Sequence, residues 1–132
     1  MKSNANDKLL INHYKKLKRK KQLEYEINLL ENSSIQLEKY LDVKSEINIG
    51  ERIKYNKEIL AKKNLEHNML IEETIKMESI IIGLDEEDKK ICEMRFNKHR
   101  EYQAIGYSLC ISKSTVCRKV KSIVDKINKE LQ

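Results

Sequence analysis

GLDEEDKKICEMRFNKHREYQAIGYSLCISKSTVCRKVKSIVDKINKELQ, residues Gly83 to Gln132, is the stretch that decides the fold of this chain. Asp85 reads as the N-cap of a helix whose first turn, Glu86, Glu87 and Asp88, is acidic where the helix dipole favours negative charge. Asp88 stands three residues after the cap, close to a capping box. Ile91, Cys92 and Phe96 give that helix an inner face, and a polar break, Asn97 to Arg100, ends it. A short helix from about Tyr102 to Leu109 follows, then a turn at Cys110 and Ile111. Ser112 caps the last helix, in which Val116, Val120, Ile123 and Ile127 fall within about 60° of one another around the axis.

Opposite that apolar stripe lie Ser114, Arg118 and Lys121, flanked by Lys113 and Cys117 on one side and Thr115 and Lys119 on the other. The stripe sets the depth of the helix and leaves its N-terminal half free to offer donors, the pattern expected of a recognition helix. Gly106 falls three residues before Leu109, where a helix-turn-helix needs a small residue because its two helices cross. Cys110 stands where such turns usually carry glycine, and so has to tolerate a strained backbone. Lys113, Ser114, Cys117, Arg118 and Lys121 are the base-reading candidates, Arg118 as a bidentate partner of guanine. Cys117 also reads as a small apolar filler. Arg100, Ser112, Thr115 and Lys119 are the phosphate candidates.

Charge agrees with this reading. From Arg95 to Lys121 seven basic residues (Arg95, Lys98, Arg100, Lys113, Arg118, Lys119 and Lys121) meet one acid, Glu101, an excess as large as the +6 of the whole chain. A concentrated positive patch suits a polyanion.

The run Leu84 through Phe96, with Ile105 and Gly106 and then Ile111 through Val116, resembles the fourth conserved region of bacterial sigma factors. It is more similar still to phage and prophage regulators of the RinA and ArpU type. Those join an N-terminal helical half to such a unit and end in an Arg-Lys-rich helix, as in Cys117 through Lys121. The resemblance covers about the last fifty residues. It implies control of late phage genes through promoter DNA; recruitment or assistance of RNA polymerase is a separate expectation for a promoter-binding protein of this kind. Abundant Lys, Ile and Asn beside scarce Arg is the bias that AT-rich codons produce, consistent with a low-GC bacterium or its mobile elements.

Ahead of this segment the chain reads as helix, giving two regions: an N-terminal long-helix region, 1–83, and the helix-turn-helix domain, 84–132. Asp7 is the expected N-cap of a helix to about Glu31 carrying Leu10, Tyr14, Leu17, Leu23, Ile27 and Leu30 on one side. Asn32, Ser33 and Ser34 are expected to break it before a second helix with Ile35, Leu37 and Leu41. The basic run Lys15 to Lys21 reads as a solvated face or a second phosphate-contacting arm. Gly50 is expected in an irregular stretch, Asn48 to Glu51. A helix of some thirty residues, about 45 Å, then runs from Lys54 to Ile82 with Leu60, Lys63, His67, Leu70, Thr74, Met77 and Ile81 as its stripe. It has to pack on the first helices or on another copy, in a homodimer. Gly83 is expected at C′ of that helix, with Leu84 as the hydrophobic residue beyond.

Composition limits the alternatives. Of 132 residues 36% are charged and 39% hydrophobic, with three Gly, no Pro and no Trp, which favours amphipathic helices and an all-α fold. Cys92, Cys110 and Cys117 form no CxxC pair, and with three scattered His give no metal spacing, so no cofactor is expected. No nucleophile–base pairing, glycine-rich phosphate loop or suitable carboxylate pair is present, and no enzyme is expected. The longest apolar run, Ser79 to Leu84, is too short to span a membrane. A cytoplasmic, DNA-binding transcriptional regulator is the reading. A small-terminase-like DNA-packaging subunit and an anti-sigma or adaptor module remain as alternatives.

Overall fold

A computed structural model describes residues 5–41 and 47–132, with side chains from 7 to 36 and from 50 onward. Among the described residues every regular element is helical, so the fold is all-α. Helix α1 spans Ala5–Leu41 and α2 Ile47–Ile82; α3, Glu86–Cys92, continues into a π-helical turn, Glu93–Asn97; α4 is Tyr102–Leu109 and α5 Lys113–Leu131. The chain divides into two compact units, Lys18–Glu73, and Met1–Leu17 with Thr74–Gln132.

The second of these contains the larger apolar core. Ile91, Cys92 and Phe96 are buried as their spacing predicts, and so are Val116, Val120, Ile123 and Ile127. Val124, which the stripe did not include, is buried as well, so the inner face of α5 is wider than expected. Ile105 comes in from α4. Leu10 and Tyr14 from the start of α1 and Met77 and Ile80 from the end of α2 complete the cluster. Burial pushes the Tyr14 hydroxyl well above the usual phenol range and the Cys92 thiol up to about 12. Cys92 is therefore an inert core residue.

The unit Lys18–Glu73 pairs the body of α1 with the body of α2. Its apolar seam is thin, with Leu23, Ile27 and Ile53 buried. Charge supplements it. Arg19 makes a bidentate contact with Glu66, Nε to Oε1 at 3.1 Å and Nη2 to Oε2 at 3.0 Å. Lys63 donates to Glu26 at 3.0 Å, and His67 lies 3.0 Å from Glu24. These pairs account for the imperfect stripe on α2. Lys63 and His67 stand at seam positions because acids on α1 meet them.

Several local expectations need correcting. Asn32, Ser33 and Ser34 do not break α1, which continues to Leu41. In a helix held by packing, the weak intrinsic preference of Asn and Ser is overridden. Ile35 is exposed, and the side chains of Leu37 and Leu41 lie outside the described residues. Asp7 is inside the first turn of α1, where it faces the positive end of the helix dipole, rather than at its cap. Gly50 is helical, and a Cβ there would meet nothing within 4 Å. Of the expected irregular stretch, residues 48–51 are all within α2. Gly83 does follow the helix and Leu84 is buried, but Gly83 has no positive φ. The last turn of α2 instead tightens, with the Gly83 N–H donating to Ile80 and the Leu84 N–H to Ile81.

Candidate nucleic-acid interface

Three local devices fix α3, α5 and the turn between α4 and α5. At the start of α3, the Asp85 carboxylate accepts the Asp88 N–H at 2.8 Å. At the start of α5, Ser112 is extended (φ −72°, ψ 154°) and its Oγ accepts the Thr115 N–H at 3.1 Å. Between α4 and α5 the chain turns through Cys110, whose φ of 58° and ψ of 41° lie in the left-handed region. Glycine would adopt that geometry without strain, whereas an L side chain pays about 1–2 kcal/mol there. The turn is closed by the Ile111 N–H donating to the Gly106 carbonyl at 3.0 Å.

Gly106 is buried under that turn. A Cβ at this position would lie 2.7 Å from the Ile111 carbonyl oxygen and 3.6 Å from the Lys113 nitrogen. What excludes a side chain is thus the Ile111 carbonyl of the turn, while the Lys113 nitrogen stands at ordinary contact distance. A glycine is demanded here by close approach, since its φ is not positive.

With its inner side buried, α5 turns Lys113, Ser114, Cys117, Arg118 and Lys121 to solvent. The five base-reading candidates therefore come together on one exposed side of the helix. Among the described residues no ion pair engages Lys113, Arg118 or Lys121. Cys117 is exposed, so it fills no apolar gap.

The phosphate candidates are placed differently. Arg100 is exposed in the loop before α4. The Ser112 and Thr115 hydroxyls lie 2.7 Å apart and bond each other within the cap. Lys119 turns away from the outer face to the acidic first turn of α3, where its ammonium pairs with Glu87 and stands 3.9 Å from Asp88. The bond to Glu87 holds the Lys119 ammonium above its ordinary range. Asp88, next to it, is raised instead, chiefly because burial penalises its charge.

Three more residues share this surface, and the sequence reading did not single them out as site residues. Gln103 and Tyr107 on α4, with Cys110 and Lys113, line a shallow groove along the turn. Tyr107 is 78% exposed, unusual for a large aromatic side chain. The signal for both was their spacing: four residues apart, they fall on the outer side of a helix whose inner residues are Ile105 and Gly106. Arg95 is the third. Its guanidinium carbon lies 4.3 Å from the centre of the Tyr102 ring, and its Nη1 donates to the Arg100 carbonyl at 3.0 Å.

No family model, curated protein or solved structure matches the chain. What the surface does has to be argued from its own residues. Among the described residues no cluster of His, Cys, Asp and Glu could hold a metal ion, and no helix is long and apolar enough to cross a membrane.

Proposed function

We propose that this chain is a sequence-specific DNA-binding transcriptional regulator that lays α5 in the major groove of duplex DNA, α4 and α5 acting as a helix-turn-helix. The observation that carries the reading is the exposed side of α5. Arg118 and Lys121 are free of ion pairs among the described residues, and Lys113, Ser114 and Cys117 stand beside them, on a helix held by the Ser112 cap and a buried stripe. Arg118 is the base reader of choice, because a guanidinium fork matches the two acceptors of a guanine edge. Lys119 is assigned a different part: paired with Glu87, it ties α5 to α3 and sets the tilt of the reading helix. Arg100 remains a phosphate contact, and Ser112 and Thr115 contribute through the cap they form.

The finer part of the reading rests on resemblance to sigma region 4 and to regulators of the RinA and ArpU type. It assigns the protein to phage or mobile-element promoters in a bacterial cytoplasm, with RNA polymerase as a second partner. It extends to a homodimer through the N-terminal helices, where Tyr25, Leu29, Tyr55, Leu65 and Met69 are exposed side chains that pairing would cover.

Selection of bound duplexes from a random pool tests this reading. The expected winners share a short motif, palindromic if the protein is a dimer. A pool that never converges, or no bound duplex at low salt, would leave an adaptor role in its place. Mass measurement on the same sample distinguishes a regulator, monomeric or dimeric, from a large packaging ring.

A further inference from the structure

The π turn after α3 and the starts of α4 and α5 meet at an open cleft lined by Arg95, Glu101, Tyr102, Gln103 and Lys113. We propose that this cleft seats one phosphodiester of duplex DNA, on the strand bordering the groove that α5 enters. The inference rests on the DNA-binding reading above and adds a backbone-gripping site to it.

The cleft is built around an arginine that is already positioned. Arg95 lies over the Tyr102 ring and gives one N–H to the Arg100 carbonyl, while the Arg100 N–H is itself fixed to the Met94 carbonyl at 3.0 Å. A guanidinium carries five donors in a planar fork, so four remain after that bond. Little rotamer entropy is left to lose when an anion arrives, and a stacked guanidinium suits phosphate better than an ammonium does. Lys113 adds a second cation and the Gln103 amide a neutral donor. Glu101 opposes them with one carboxylate, but it is exposed and makes no side-chain bond at the α4 cap. The balance is positive, and the geometry is that of a point contact on a chain of phosphates. On this account Lys113, at the first position of α5, grips backbone while Arg118, farther along, reads bases.

Arg95→Gln and Lys113→Gln test the site on the full chain, with duplexes in which single linkages are neutralised as methylphosphonates. Each variant is expected to weaken binding several-fold, equally on selected and random-sequence duplexes, and to lower the salt slope by about one. At one linkage, neutralisation should cost the native protein a similar factor and cost either variant nothing more. Losses that stay additive at every linkage would overturn the proposal, as would a Lys113→Gln loss confined to the selected duplex. Lys113 is exposed, so its variant stays informative if Arg95→Gln disturbs the loop, which circular dichroism would report. If the native protein binds no duplex, the DNA-binding reading and this site fail together; if it binds and only the linkage test fails, the site alone is overturned.

Discussion

The two compact units of this chain use the same two long helices and hold them by different means. In Met1–Leu17 with Thr74–Gln132, α1 and α2 supply Leu10, Tyr14, Met77 and Ile80 to a core that α3, α4 and α5 complete. In Lys18–Glu73 they meet over few buried residues and are joined by Arg19 with Glu66, Lys63 with Glu26, and His67 with Glu24. The first arrangement buries its members away from water and holds the short helix α4 and the strained turn at Cys110 against that core. The second is made of partly exposed ion pairs, each of which contributes little in water and less in salt. The larger apolar core therefore lies in the unit that carries the exposed side of α5.

The sharpest way to break that contrast is to remove its centre. Phe96→Ala deletes the largest fully buried side chain and should cost about 3–5 kcal/mol. Amide exchange should then quicken throughout α3, α4 and α5; a loss under 1 kcal/mol would mean that the core is not where the stability resides.

A smaller effect is expected at the crossing. Gly106→Ala places a methyl against the Ile111 carbonyl, and backbone cannot yield as a side-chain end can. The turn must open, at about 1–3 kcal/mol. DNA binding should fall further than stability alone explains, because α5 is displaced. Unchanged stability and binding would show that the close approach is not maintained in solution.

The mildest difference concerns acid. Bonds from His67 and Lys63 hold the Glu24 and Glu26 carboxyls below the ordinary glutamate range, whereas burial raises Asp88. A depressed carboxyl contributes stability above its unfolded value and loses that contribution as pH falls through its folded one. A raised carboxyl has the opposite sign: its contribution is complete below the unfolded value and is lost as pH rises through the folded one. NMR titration should find Glu24 and Glu26 low and Asp88 high, with Lys18–Glu73 losing protection as pH falls below the usual carboxylate range. Glu24 and Glu26 titrating at ordinary values would remove the electrostatic half of the comparison.

Much of the C-terminal segment was legible because its signals are local. Asp85 and Ser112 cap within three residues, Gly106 and Cys110 are a few residues from what they touch, and a 3.6-residue period assigned every expected core position of α5. Val124 lies outside the narrow stripe because the helix is enclosed on a broader arc. What stayed hidden was non-local. Nothing near Lys63 indicates Glu26, 37 residues away, and nothing near Lys119 indicates Glu87. Continuity of α1 across Asn32 to Ser34, where Ser34 is buried, and of α2 across Gly50 was obscured because local preference pointed to a break in both places. The π turn at Glu93–Asn97, which sets up Arg95, leaves no mark in the hydrophobic pattern.

The central claim is that α5 reads base sequence with Arg118. Binding of Arg118→Ala to a selected duplex and to a random one, at one salt concentration, tests it most directly. The account predicts a loss of about 1–3 kcal/mol on the selected duplex, relaxed preference at one base pair, and a much smaller loss on random DNA. Equal losses on both duplexes would contradict it.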